Sequence, residues 1–389
     1  EPNAVLTDSL TYDITAWSLP YAYGLDAIAS ESLIPNNNSI DRVKAIYVGR
    51  PIEKTNNTVA YITNWNSMND ARFLADLLKE NIKVRFNQKP FNLEGKKYDR
   101  GSLIITSSDN KNKKDFIEKL KDISFKHHII LTPTSTGFVD KGDDFGSSSI
   151  RMVKKSKIAV LSGEPTSTLQ FGEIWHFFEQ QLGYPITVLH DSKLSSSELE
   201  NYNILILPDG WYGGFLDNDK LAGLKDWVKN GGKLIAMGGA IKSLESKNGF
   251  SIKTKEVKKD STDIINLITY EDSERDGIKK AITGAIFKTK VDNTNPLAFG
   301  YDDTYFTLKL GADAYDYLKD GTVAYIENDT NQVAGFAGSE AKKKIAKTLI
   351  FGVENYGRGQ VVYMVDNPLF RGFWENGKLF FANALFMVD

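Results

Sequence analysis

The chain has 389 residues, 41% of them hydrophobic and 25% charged, enough to bury two or three cores of ordinary size. Lys and Arg number 48 against 50 Asp and Glu, a formal charge of -2, so no overall field points to nucleic acid or an anionic membrane. No apolar run approaches the roughly 20 residues that a bilayer requires, and the absence of cysteine excludes disulfides, thiolate metal sites and a cysteine nucleophile.

A cysteine-free chain fits an exported protein. It opens at Glu1 with neither an initiator methionine nor a signal pattern, as expected of a processed or excised piece. Residues 1–54 read as a linker and docking segment. Aromatics crowd positions 11–24, a stretch too short to bury them alone, so Trp17 is expected to matter chiefly beside a preceding domain. Positions 42–48 read as a short strand closed by Gly49 and Pro51.

Residues 55–150 alternate strand and helix signals. Strands are expected at 58–62, 83–86, 102–105 and 128–131, with an amphipathic helix over 69–80 and a lysine-rich one over 111–123. The alternation predicts a small α/β domain, flavodoxin-like or Rossmann-like, with a mostly parallel sheet. No glycine-rich fingerprint follows its first strand, which leaves a dinucleotide site without support. Asp140, Asp143 and Asp144 sit in a loop without EF-hand spacing. His127 and His128, adjacent on an expected strand, would point to opposite faces and could not share a metal.

Residues 151–389 read as a second, larger α/β unit with an antiparallel insertion over about 250–335. Strands are expected at 157–161, 187–189, 204–207, 234–237 and 360–365, short antiparallel ones near 306–308, 323–326 and 333–336, and helices over 171–182, 221–229, 341–350 and 373–387. Its centre is Leu234-Ile235-Ala236-Met237-Gly238-Gly239: a buried strand, a sharp turn and a helix-compatible run. In α/β hydrolytic folds such a turn is a nucleophile elbow. Here the apex is Gly238, which has no side chain to present.

The loops after three strands converge at the carboxyl edge of the expected sheet, where open α/β sheets bind ligands. They carry Ser162 and Glu164, then Asp209 and Gly210, then Gly238 and Gly239; Asp366 follows the last strand. These seven residues form the candidate pocket for a small molecule or peptide. Ser162-Gly163 could be a nucleophile turn, but nothing orders a histidine beside it. Glu164, Asp209 and Asp366 could work as an acid/base set, or serve as helix caps. His176 and Glu179 form an HxxE pair whose i, i+3 spacing could hold one zinc, but His190, the nearest further ligand, lies on another element. The alternative to zinc is a helix face with Trp175 and Phe178 in the core and Glu179 solvated.

Several segments resemble the region that follows the catalytic domain in large exported bacterial zinc carboxypeptidases of the Bacteroidetes type. They are Thr11-Tyr12-Asp13-Ile14-Thr15-Ala16-Trp17-Ser18-Leu19-Pro20, the serine-rich 144–149, Lys157-Ile158-Ala159-Val160-Leu161, Gly172-Glu173-Ile174-Trp175-His176, Leu205-Ile206-Leu207-Pro208-Asp209-Gly210, Leu297-Ala298-Phe299-Gly300 and the run from Asp366 to Trp374. The resemblance implies that residues 151–389 are similar to class I glutamine amidotransferase domains. It also implies that the zinc site and its catalytic glutamate lie before Glu1, so that no cofactor belongs to this chain and the preceding peptidase domain is its partner. Amidotransferases carry cysteine at the elbow and a histidine after the last strand. This sequence has Gly238 and Asp366-Asn367-Pro368 there, which implies a non-catalytic, structural or ligand-binding accessory region. The other reading is a free-standing hydrolase using the edge carboxylates or Ser162.

Overall fold

The computed structural model describes residues 18–25, 27–28, 30–33, 57–245, 249–256 and 269–389. Trp17 and the strand expected over 42–48 lie outside them. The fold is mixed α/β, built on one five-stranded and one ten-stranded sheet and a separate hairpin.

The first sheet contains β1 (Ala60–Thr63), β2 (Arg85–Asn87), β5 (Leu103–Thr106), β6 (Thr132–Thr134) and β7 (Ile150–Met152), in the order β6-β1-β5-β2-β7. Every neighbouring pair is antiparallel, contrary to the expected parallel sheet. The cause lies in the connections. β1 and β2 point the same way and are joined by the helix Met68–Lys79, capped reciprocally by Ser67 and Asp70, but β5 is inserted between them in the opposite sense. From β2 to β5 the chain runs through the hairpin of β3 (Phe91–Leu93) and β4 (Lys96–Tyr98), with no crossover helix to return the strand parallel. The second helix is Phe116–Lys126, so 111–115 stay outside it. No strand forms at 128–131: His127 caps that helix with its Nε2 2.7 Å from Asp76, and His128 turns the chain at φ 58°. The loop aspartates serve the fold, Asp144 accepting from the Val139 amide and Asp143 from the Ser149 hydroxyl.

The second sheet runs β13-β12-β14-β16-β17-β11-β10-β8-β9, with β15 paired to β12. Its parallel half is β8 (Ile158–Ser162), β9 (Thr187–His190), β10 (Ile204–Leu207), β11 (Lys233–Met237) and β17 (Gly359–Met364). Taken in chain order these five stand 2-1-3-4-5, the flavodoxin-like arrangement. Apart from the edge strand β9, where only Leu189 is buried, their apolar runs are buried on both faces, as doubly covered parallel strands require. One face carries the helix Thr168–His176, its π-helical continuation Phe177–Leu182 and the last helix Glu375–Phe386. The other carries the helix Asn218–Lys229.

The antiparallel half adds β12 (Gly284–Val291), β13 (Thr304–Lys309), β14 (Thr322–Ile326), β15 (Gln332–Phe336) and β16 (Thr348–Tyr356) to the same sheet. The helix expected over 341–350 stops at Ile345, and 348–350 begin β16. One apolar cluster runs from Tyr61 and Leu103 of the first sheet through Phe178 and Phe381 to Val160 and Met364 of the second, so the two sheets share a core. Among the described residues no helix is long and apolar enough to cross a membrane.

Candidate functional site

β11 ends in Met237, and the chain turns at Gly238 with φ 49° and ψ -123° before the short helix Gly239–Lys242. This is the elbow that the sequence predicts, in a backbone region that an L residue enters only under strain. The place of the missing side chain is taken. A Cβ at Gly238 would lie 2.5 Å from Oδ1 of Asp209, which comes from the loop after the neighbouring strand β10. The same oxygen accepts the Gly239 amide at 2.7 Å and the Gly210 amide at 2.8 Å. In elbow enzymes the amide after the nucleophile helps to stabilise an oxyanion. Here that amide is committed to a carboxylate.

The Asp209 loop is held from several sides. Tyr212 donates its hydroxyl to the Pro208 carbonyl at 2.8 Å, the Ser167 amide reaches the Asp209 carbonyl at 2.8 Å, and Thr166 bridges to Gly210. A Cβ on Gly210 would stand 2.0 Å from the Pro165 carbonyl oxygen. β8 and β10 form the topological switch point of the sheet, so backbone closes the crevice where a ligand would ordinarily sit. The open space lies one strand along, beside the ends of β10, β11 and β17.

That space is a cavity of about 290 Å³ lined by Asp209, Gly238, Gly239 and Asp366 and, from other elements, Glu173 and Lys309. Lys309, at the end of β13, reaches Asp366 with its Nζ 2.8 Å from Oδ1, and the Thr307 hydroxyl donates to Oδ2 at 2.7 Å. The lysine and aspartate side chains are 1% and 7% exposed, which makes this a buried ion pair. Glu173 hangs from the helix after β8. Its carboxylate accepts the Asn367 side-chain amide at 2.6 Å and the Arg371 backbone amide at 2.7 Å. Burial pushes this carboxyl above the ordinary range, against the lowering pull of those two donors.

The seven predicted pocket residues therefore separate. Asp209, Gly238, Gly239 and Asp366 line the cavity, and Gly210 supports it from behind. Ser162 and Glu164 do not line it: the Ser162 hydroxyl donates to the Leu189 carbonyl at 3.4 Å, and Glu164 receives its local order from Asp191, through a backbone bond of 3.1 Å. The HxxE pair does not converge. The helix passes into a π turn at Phe177, and Glu179 accepts the Trp175 indole at 3.0 Å; that indole is 37% exposed instead of packed in the core with the buried Phe178, because it serves the surface carboxylate. His190 lies 2.6 Å from Asp191. Among the described residues no group of three or more His, Asp or Glu is placed to hold a metal.

Glu173, Lys309, Thr307 and Asn367 were not anticipated as site residues. A lysine closing the apolar strand Tyr305-Phe306-Thr307-Leu308 is the one local signal, and its partner Asp366 is 57 positions away.

No protein-family model matches the chain, and no curated protein matches it. Among solved structures it is similar to a protein described as ThuA-like from Bacteroides uniformis, at 12% identity over 59% of this chain and 89% of that one, with a TM-score of 0.37. It is also similar to a glutamine amidotransferase from Thermotoga maritima, at 12% identity over 55% and 76%, with a TM-score of 0.34. A third similar structure is a cytoplasmic protein from Salmonella typhimurium, at 12% identity over 59% and 98%, with a TM-score of 0.38. At these scores the likenesses say nothing about chemistry.

Proposed function

We propose that this chain is a non-catalytic accessory region of an exported zinc carboxypeptidase-like polypeptide, built around an elbow without a nucleophile and binding a small ligand at the carboxyl edge of its larger sheet. One observation carries the non-catalytic part. The Asp209 carboxylate occupies the position of an elbow side chain and engages the following amide, so neither a nucleophile nor a free oxyanion donor is offered. The parentage rests on the resemblance of the quoted segments; zinc then belongs to a peptidase domain preceding Glu1, which is the partner of this region.

The hydrolase alternative asks for an acid/base pair or an activated serine. Against it, Asp366 is bound to Lys309 and Ser162 donates to a peptide carbonyl. The test is an assay of the purified chain on glutamine, esters and peptides, with Asp209→Asn and Ser162→Ala beside it. No turnover is expected, and turnover lost on either substitution overturns the proposal. Peptides mapped upstream of Glu1 in the source cells, carrying an HxxE peptidase domain, are expected if the parentage is right. A native product starting at Glu1 removes it.

A further inference from the structure

The elbow is blocked, but the cavity beside it is open and its charges do not balance. Its volume of about 290 Å³ is room for about ten waters, at the small end for ligand sites. Four carboxylates line it, Glu173, Asp209, Asp313 and Asp366, against one ammonium, Lys309. Lys309 is already bound to Asp366, which leaves Glu173, Asp209 and Asp313. Among the described residues none of these three has an ion-pair partner within 4.0 Å.

What holds Glu173 and Asp209 in place is neutral. Peptide and side-chain amides orient the carboxylates without cancelling their charge. The Arg371 guanidinium lies over the Phe370 ring at 5.1 Å from its centre and lowers the Glu173 carboxyl only through its field, without an ion pair. A half-buried carboxylate without a counter-ion in contact is costly; burial, with the Asp209 charge adding to it, pushes the Glu173 carboxyl up. The mouth is different in character. Leu169 and Leu310 stand at its rim, 80% and 52% exposed, with Phe370 beside them. An apolar mouth over an acidic floor matches a ligand with an aliphatic stem and a cationic end.

We infer that the cavity binds the end of an aliphatic chain bearing a primary ammonium or guanidinium group, the cation lying between Glu173 and Asp209 and the stem against Leu169 and Leu310. This deepens the ligand-binding reading above and rests on it. An anion would meet three uncompensated carboxylates, and a neutral polyol would leave them uncompensated. A bare divalent ion is disfavoured because, among the described residues, no three His, Asp or Glu groups converge to hold one. The cation has two sources, a free amine or a lysine or arginine side chain of a peptide, and one experiment separates them.

Isothermal titration of the full chain uses cadaverine, Nα-acetyl-lysine amide and its uncharged analogue Nα-acetyl-norleucine amide. At least one cationic probe is expected to bind about tenfold or more tightly than the norleucine compound, and Glu173→Gln is expected to weaken it by about tenfold or more. Preference for cadaverine identifies a free amine, and preference for the lysine amide identifies a peptide. Should Glu173→Gln fail to fold, Asp313→Asn, at an exposed lining position, is expected to give a smaller loss in the same direction. Cationic probes that bind no better than norleucine amide, or binding that neither carboxylate substitution weakens, overturn the inference. If the neutral probe binds in the cavity the ligand-binding reading stands without the cation, whereas turnover of any probe overturns the non-catalytic reading itself.

Discussion

The contact between Gly238 and Asp209 can be tested as a thermodynamic coupling. Gly238→Ala places a methyl 2.5 Å from Asp209 Oδ1 and 2.6 Å from its Cγ, so the carboxylate must leave the Gly239 and Gly210 amides. Two bonds to a charged acceptor are lost, but the Gly239 amide borders an open cavity and can be rehydrated, so the combined loss is taken as about 2–3 kcal/mol. Holding an L residue at φ 49° adds about 1–2 kcal/mol, for a total of roughly 3–5. Asp209→Gly alone loses the same bonds without the strain, about 2–3 kcal/mol. In the double variant those bonds can be lost only once. Its cost is expected to equal that of Gly238→Ala alone, leaving a coupling of about 2–3 kcal/mol. Urea unfolding of the four proteins reads this from the midpoints, provided the slope is unchanged. Costs that add to within about 0.5 kcal/mol would show that the carboxylate does not stand in the elbow.

The buried pair predicts that Lys309→Met, which leaves Asp366 without its cation, costs about 3–5 kcal/mol by chemical unfolding, and that adding Asp366→Leu recovers much of the loss. Lys233 donates to the Ala384 and Leu385 carbonyls at the end of the last helix, and burial brings its pKa down to about 7. In the unfolded chain it titrates near 10.4, so between about pH 7 and pH 10 the unfolded state holds a proton that the folded state lacks, and stability gains from rising pH. Lys233→Met should remove that part of the slope, and equal slopes in the two proteins would refute it. Gly210→Ala drives a methyl to 2.0 Å from the Pro165 carbonyl oxygen and should cost about 1–3 kcal/mol while parting the two loops, read as faster proteolysis within 163–167.

What the sequence makes legible here follows from how locally each feature is determined. β8, β10, β11 and β17 are runs of apolar residues because both faces of a parallel sheet are covered, so they can be recognised without knowing their neighbours. The Gly238 elbow is legible for a similar reason, since strand, turn and helix are contiguous. The first sheet is misread because strand direction is set by partners. A helix between β1 and β2 gives a parallel unit only if they are neighbours, and β5 between them is invisible to periodicity. Within the site, Asp209 and Asp366 can be found as carboxylates after buried strands. Lys309 and Glu173 cannot, because what makes them site residues is the approach of β13 to the end of β17, and of the helix after β8 to Asn367.

On the proposed non-catalytic reading, the elbow is a shape associated with chemistry that is kept for packing. β11 must end where β10 also ends; the loop after β10 comes so close that Gly238 has no room for a Cβ, and the loop after β8 leaves none at Gly210. Once Asp209 caps the turn after β11, the sharp geometry is stabilised by hydrogen bonds and no longer depends on any gain in catalysis. The same capping fixes where binding can occur. With the switch point closed by backbone, the remaining opening lies beneath the antiparallel half, whose strand β13 supplies both Lys309, which neutralises Asp366, and the approach to the Leu310 rim. The insertion thus completes the wall of the cavity and leaves its floor with more carboxylates than cations, the imbalance on which the proposed cationic ligand rests.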